Sequence, residues 1–424
     1  MPSRFRTLAV VLAGGKGSRL GPLTQHRAKP ALPYAGVYRL IDFPLTNCVH
    51  SHLRDVWVIE QFQPHALNEH LLNGRPWDLD RNSGGLRVMP PFTGGHGEGF
   101  ASGNAEVLWR HRALLREFAA DEIVVTSADH VERVDLRDVL DAHREARAEV
   151  TLVTTEVPAD EASRFGLARV DDATGRVVDW RYKSDDPFGT TAATEIFAYD
   201  ARALLDTLDQ LTHNRPDEDG DGAPELDDFG HHLLPALVTR GRAFSWRHTG
   251  YWRDVGTVPS YWQGHMDLLD PELAAPGGPL ALDDPRWPLR TGAQLHMPAR
   301  HTRSARVDDA LVSPGCHVAG LVERSVLGPG VVVEEGAEVR DSVLLHAGVV
   351  RRGARVTRAV LDTHVEVGEG ARVGAAGDDA ELVVVGRRAR VDAGAEVAPG
   401  TQVDADGAGV DLGTGARRGG PARA

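Results

Sequence analysis

The chain has 424 residues, a length that predicts two or three domains rather than one core. Its formal charge of −14 excludes nucleic acid as the main partner, because neutralising a phosphate backbone needs a clustered basic surface. The two cysteines, Cys48 and Cys316, lack any C-x-x-C spacing, and no run of 18 apolar residues occurs; a disulfide framework, a zinc site, a signal peptide and a membrane span are not expected, and a cytoplasmic protein is.

In chain order, the first predicted strand is Leu8–Ala13, and it runs straight into "LAGGKGSRL". Backbone N–H groups of Gly14, Gly15, Gly17 and Ser18 form a candidate nest for a phosphate chain, with Arg19 and Lys29 as neighbouring cations. A P-loop is excluded because G-x-x-x-x-G-K-[ST] is absent, and Leu20 stands where G-x-G-x-x-G needs its third glycine. The competing reading of the segment is a glycine turn with solvated basic residues. Strands are predicted at Asp55–Glu60, Glu122–Ser127 and Val150–Val157. Between the last two, Leu136–Arg147 places Leu136, Val139, Leu140 and His143 on one helical face, as a crossover helix does. Alternating strands and helices predict a mostly parallel α/β sheet. "SADH" then sets Asp129 at the carboxyl end of a strand, where such sheets present metal-binding carboxylates, and "WRDVGT" offers Asp254 as a second; a turn or helix-cap role is the alternative for either.

"DEDGDGAPELDD" matches part of an EF-hand loop at Asp217, Asp219, Asp221 and Gly222, but Pro224 interrupts it and Asp228 replaces the preferred Glu, so a solvated acidic loop is expected. The nineteen histidines show no metal-ligand spacing. Residues 271–298 are rich in Pro, Gly and Ala and read as a linker. Beyond it, every sixth residue from Val331 is Ala337, Val343, Val349, Arg355, Leu361, Val367 and Val373, and the step resumes at Val385, Val391, Val397 and Val403 after an insertion. That period predicts a β-solenoid. The expected domains are therefore 1–270, a linker 271–298, a solenoid 299–410 and a flexible tail 411–424.

The motifs "LAGGKGSRL", "RAKPALPYAGVYRLIDFPLTNC", "SADH", "SRFGLARVD", "DFGHHLLP", "YWRDVGTVPSYW" and "RWPLRT", in this order and ahead of a hexapeptide solenoid, resemble those of the bacterial ADP-glucose pyrophosphorylases (glucose-1-phosphate adenylyltransferases) over nearly the whole chain. The resemblance implies a Rossmann-like nucleotidyltransferase domain followed by a left-handed parallel β-helix. It implies that sugar-1-phosphate attacks the α-phosphorus of ATP with Mg²⁺ as cofactor, giving ADP-glucose for glycogen or a related α-glucan. It further implies that Leu12, Ala13, Gly14, Gly15 and Gly17 line the nucleotide and Gly103 its base, that Arg19 and Lys29 neutralise charge, and that Asp129 and Asp254 hold the metal. Gly166, Tyr182, Lys183 and Glu195 fall at the sugar-phosphate positions, and a homotetramer is the implied assembly.

The departures from the family pattern cluster at the sugar. Tyr182-Lys183-Ser184 stands where E-K-P is usual, removing a carboxylate that accepts from sugar hydroxyls; Ala193-Thr194-Glu195-Ile196-Phe197 replaces S-M-G-x-Y; "FASGNAEVL" displaces an aromatic; and His26 replaces a basic residue implicated in activator binding. Losing hydroxyl partners costs discrimination on the order of 10⁴ in favourable cases. Three readings compete with ADP-glucose synthesis: another sugar-1-phosphate, a non-catalytic regulatory paralogue that binds nucleotide or sugar phosphate, and a solenoid acyltransferase, for which His317, His346 and His364 have no supporting pattern.

Overall fold

The computed structural model describes residues 5–91, 101, 103–213, 226, 228–293, 295–377 and 379–407. The residues of the acidic stretch, Asp217, Asp219, Asp221 and Gly222, and the tail 411–424, lie outside them. The chain forms two compact units and passes between them three times: one takes Met1–Gly15 and Ile41–Asp254, the other Lys16–Leu40 and Val255–Ala424. This interleaved division differs from the linear one at 270, 271–298 and 299–410, because residues 16–40 and the helix after Asp254 bury their apolar faces on the solenoid.

In the first unit the strands of one nine-stranded sheet are β1 (Thr7–Ala13), β2 (Asp55–Glu60), β3 (Gly85–Met89), β4 (Glu122–Ser127), β6 (Val150–Glu156), β7 (Gly166–Asp171), β8 (Arg176–Tyr182), β9 (Thr191–Asp200) and β10 (Ala243–Arg247), with β5 (His130–Glu132) and β11 (Trp252–Asp254) forming a separate pair. The order is β3-β2-β1-β4-β9-β6-β10-β8-β7. The β3-β2-β1-β4 half is parallel, and its central strand β1 reads as an unbroken apolar run because both faces are covered; Leu8, Ala9, Val10 and Val11 are all fully buried. Strand β9 runs antiparallel between β4 and β6. The helices used below are α1 (Asn104–Arg110), α2 (Arg112–Phe118), α3 (Leu136–Glu145) and α4 (Val258–Asp267). Helix α3 is the expected crossover: Leu136, Val139, Leu140 and His143 are buried, and Asp135 caps it by accepting from the Arg137 N–H at 3.0 Å. Among the described residues no helix is long and apolar enough to cross a membrane.

The second unit contains a parallel β-solenoid, with two parallel sheets of six and ten strands. One early coil takes seventeen residues, Val332 lying beside Val349 and Val339 beside Val356. A strict six-residue count therefore drifts outward: Val349 is half-buried and Arg355 exposed, and the inward positions are Val350 and Val356. The insertion lengthens the next coil to twenty-four residues, Val360 to Val384, and the count returns to Leu361, Val385 and Val403 inside. Each buried Val or Leu contributes about 1.5–3 kcal/mol.

One outer face of the ten-stranded sheet is also dry: Val326, Val343, Val360 and Val384 are buried, under residues 18–24 and α4. Polar contacts pin this layer. The Trp262 Nε1–H donates to the Asp341 carbonyl at 2.7 Å, Gln25 Nε2 to Asp404 at 2.6 Å, Tyr34 Oη–H to the Gly264 carbonyl at 2.7 Å, and Arg27 meets Asp362 at 2.7 Å. The last pair is interior, with side chains 7% and 1% exposed, and it leaves Arg27 Nη1 and Asp362 Oδ2 without partners. Burial holds the Asp362 carboxyl above the usual range, against the opposing pull of Arg27. A buried pair of this kind is costly to break from one side and nearly neutral to replace from both. Arg27→Met is thus expected to lose about 3–5 kcal/mol in denaturant melts, and Arg27→Met with Asp362→Leu to recover most of it; equal losses in the two proteins would remove the pair from the account.

Candidate active site

The first group of predicted residues sits at the carboxyl end of β1. Leu12 and Ala13 are buried in the strand, and Gly14 and Gly15 follow it. A Cβ on Gly14 would meet the Gln61 side chain at 2.9 Å, whereas Gly15 faces open space, so its backbone is accessible to a ligand. The chain then enters the solenoid unit. There Gly17 has φ +66 and a Cβ would lie 3.0 Å from Thr24 and 3.1 Å from Lys29, so this turn requires glycine. Arg19 is exposed and Lys29 buried, both within that second unit.

The second group converges through the β5–β11 pairing, whose register sets Asp254 opposite His130, next in chain to Asp129. Around the buried His130 Nε2 stand Asp254 at 3.6 Å, Asp129 at 3.7 Å and Glu195 at 3.9 Å. Its Nδ1 lies 2.8 Å from the Thr194 carbonyl and donates to it. The Trp252 ring meets His130 edge-on at 5.5 Å and Phe165 at 5.2 Å, closing the apolar side. Burial alone would drive the proton from His130; Asp129, Glu195, Asp254 and Glu132 outweigh it and hold its pKa up to about 9. Burial pushes Glu132 up to about 8, with His130 opposing. Glu195 is likewise raised, by burial first, with Asp129 and Asp254 adding and His130 and Lys183 opposing. Ligand atoms of Asp129, His130 and Glu195 lie within 4.8 Å of one another. Hard carboxylate oxygens in excess over one imidazolium suit a hard divalent cation.

Glu195 reaches this corner through an irregularity. The β9–β6 register shifts between Ala193 and Phe197, and Glu195 takes φ +61, a left-handed conformation that costs a side-chain-bearing residue about 1–2 kcal/mol. The residue expected at the sugar therefore lies beside Asp129.

The third group lines β7 and β8. Gly166 pairs with Tyr182, and a Cβ on it would strike Trp180 at 2.3 Å; a Cβ on Gly230 would strike Tyr182 at 2.1 Å. The Tyr182 hydroxyl donates to Asp228 Oδ2 at 2.8 Å, and Lys183 Nζ lies 3.9 Å from the same oxygen. Lys183 has φ +46 and donates its N–H to the Phe165 carbonyl at 3.0 Å, so the lysine is presented by a fixed turn. Asp228 Oδ1 accepts from the Asn104 N–H at 3.3 Å, beside Gly103 at the start of α1. The carboxylate absent at position 182 is thus met by one from the "DFGHHLLP" stretch. Sequence reasoning did not single out Asp228 as a site residue, nor His130, nor Arg164, whose Nη2 is 3.8 Å from Asp254. The signals were present in the quoted motifs, but only folding shows which neighbour of each motif points inward. His26 is half-exposed, 3.5 Å from Asp406.

Comparison with known proteins bears on these three groups. The nucleotidyl transferase family matches residues 8–271, and a GlmU-like, C-terminal hexapeptide family matches residues 293–388. Glucose-1-phosphate adenylyltransferase from Thermotoga maritima is 38% identical over 336 residues, 79% of this chain and 76% of the relative. The protein of the same name from Bacillus thuringiensis is 37% identical over 347 residues, 81% of this chain and 88% of the relative. With strand-end glycines, converging carboxylates and solenoid all in the family's order, the chain belongs to the glucose-1-phosphate adenylyltransferase family of nucleotidyl transferases.

Proposed function

We propose that this protein makes ADP-glucose and pyrophosphate from ATP and glucose-1-phosphate in the cytoplasm, with Mg²⁺ as its metal. The observation that carries the reading is the meeting of Asp129, Glu195 and Asp254 around His130. When bound there, Mg²⁺ would neutralise charge on the reacting phosphates. Asp129 and Asp254 hold it, with Glu195 as a third oxygen donor. Backbone N–H groups from Gly14 to Gly17 line the triphosphate beside Leu12 and Ala13, Arg19 and Lys29 neutralise charge on the departing pyrophosphate, and Gly103 lies at the base. Lys183 grips the sugar phosphate as a point charge, Gly166 leaves room for the sugar, and Tyr182 with Asp228 faces its hydroxyls. Transfer of this type asks the protein for positioning and electrostatics rather than covalent chemistry. Retention of both metal carboxylates favours an enzyme over a regulatory paralogue. The sugar partners leave a second hexose-1-phosphate as the alternative substrate. Two buried free thiols, Cys48 and Cys316, support a reducing compartment. Stacked coils end in a surface that is capped or paired, which supports self-association, with a homotetramer as the assembly; light scattering that gives only monomers would remove it.

Pyrophosphate release against a panel of nucleoside triphosphates and sugar-1-phosphates is expected to be highest with ATP and glucose-1-phosphate. Asp129→Asn and Asp254→Asn are each expected to lower kcat at least 100-fold with an unchanged circular dichroism spectrum; near-normal turnover in both would remove the metal assignment. Glu195→Gly is expected to relieve the left-handed backbone, raising unfolding free energy by about 1 kcal/mol, while weakening Mn²⁺ binding read by electron paramagnetic resonance. Unchanged Mn²⁺ affinity would place Glu195 outside the metal's ligands.

A further inference from the structure

At the opposite end of the sheet from Gly14 and Asp129 lies a cleft of about 780 Å³ that none of the roles above uses. Its charged lining is Arg6, Arg54, Arg81, Arg87 and Asp55, with Leu86 and Phe118 as apolar members. Four guanidinium groups against one carboxylate stand out on a chain with a net charge of −14. The lining comes from the amino ends of β1, β2 and β3 and the carboxyl end of α2. Arg6 directly precedes β1 and Gly14 follows it, so eight strand-like steps separate the cleft from the phosphate loop, about 25 Å.

The cleft has two fixed cations and two unengaged ones. The Arg6 guanidinium stacks on the Phe118 ring at 3.8 Å and donates to the Phe118 carbonyl at 2.5 Å, while its backbone N–H donates to Asp121 at 2.7 Å. Arg81 donates from Nε to the Asp78 carbonyl at 2.6 Å. The loop carrying Arg81 is pinned as well: Gly85 N–H donates to the Arg54 carbonyl at 2.7 Å, and Gly85 has φ +91 with only 2.4 Å between a would-be Cβ and the Leu79 carbonyl. By contrast, the guanidinium groups of Arg54 and Arg87 make no hydrogen bond or ion pair among the described residues. Like charges gathered in one concavity repel, and an anion offsets that repulsion. Arginine presents a planar fork that matches phosphate oxygens in pairs, and the volume is that of a small-molecule site.

We propose that this cleft is a second anion site, which takes a small molecule bearing two phosphoryl groups. Arg54 and Arg87 clamp the phosphates and Arg6 and Arg81 frame them. The inference stands apart from the catalytic reading, since it uses none of its residues.

The test is calorimetric titration of the full-length protein with inorganic pyrophosphate, inorganic phosphate and a pentose bisphosphate at constant ionic strength. The wild type is expected to show one more pyrophosphate site than Arg54→Ala/Arg87→Ala, with phosphate at least tenfold weaker at that site. Arg54→Lys/Arg87→Lys, which keeps the charge but not the fork, is expected to raise Kd at least threefold, and adenylyl transfer without added anion should stay within twofold of wild type in both variants. A pentose bisphosphate that binds the extra site more tightly than pyrophosphate assigns an organic ligand, and one that binds no more tightly assigns the inorganic one. Identical isotherms for wild type and the alanine variant, phosphate binding as well as pyrophosphate, or displacement of pyrophosphate from the cleft by a short single-stranded oligonucleotide at lower concentration would each overturn the proposal.

Discussion

The catalytic half of the molecule depends on one electrostatic arrangement, a buried imidazole with carboxylates on several sides. His130 faces Asp129, Glu195 and Asp254 at 3.6–3.9 Å, and Glu132 lies two residues away on the same strand. So many carboxylates in one partly dry corner repel one another strongly, because the interaction between charges grows as water is excluded. A protonated His130 offsets part of that repulsion, and the same carboxylates favour its protonated form against burial. The remaining negative charge is what a divalent cation and its phosphates would complete. The β5–β11 pair, the turn after β4 and the irregularity in β9 all bring one acid each to this point.

The same corner explains why β9 departs from a regular strand. A straight β9 would alternate its side chains between the two faces of the sheet. The register shift between Ala193 and Phe197 instead turns Glu195 toward Asp129 and sends the Thr194 carbonyl to His130. A left-handed residue with a side chain persists only where its surroundings over-determine it, and such strain gathers at functional sites. Near Gly166, Tyr182 and Asp228 share a hydrogen bond, so the altered E-K-P segment and the "DFG" segment form one polar surface.

The second unit shows a different economy of packing. A solenoid needs only its inward residues to be apolar, yet Val326, Val343, Val360 and Val384 are buried on the outside as well. Residues 16–40 and α4 cover them, held by Trp262, Gln25, Tyr34 and the Arg27–Asp362 pair. The stretch that carries Arg19 and Lys29 is thereby ordered by the solenoid's outer face, while Gly14 and Gly15, joined to it through one peptide bond, belong to the sheet. The glycine-rich segment is thus divided between two hydrophobic cores, a consequence of where apolar surface needed cover.

Much of this was legible in one dimension. Unbroken apolar runs such as Leu8–Ala13 and Glu122–Ser127 are parallel strands because strands covered on both faces have no polar alternation, and the six-residue step marks a solenoid because each coil repeats its corners. The family motifs pointed to Asp129, Asp254, Lys183 and the glycines as candidates. What the sequence by itself could not determine was anything that depends on residues far apart in it meeting. The count from Val331 failed at Arg355 because coil length is set by stacking register, seventeen residues here, and not by the local period. The interleaving of residues 16–40 and 255–270 with the second unit was not legible, because membership of a compact unit is decided by which core a segment's apolar face finds. Glu195 went to the corner of Asp129 and His130, and Asp228 to Tyr182, because a backbone turn and a register shift, both properties of paired strands, decide where a carboxylate points; composition and spacing decide only that it is there.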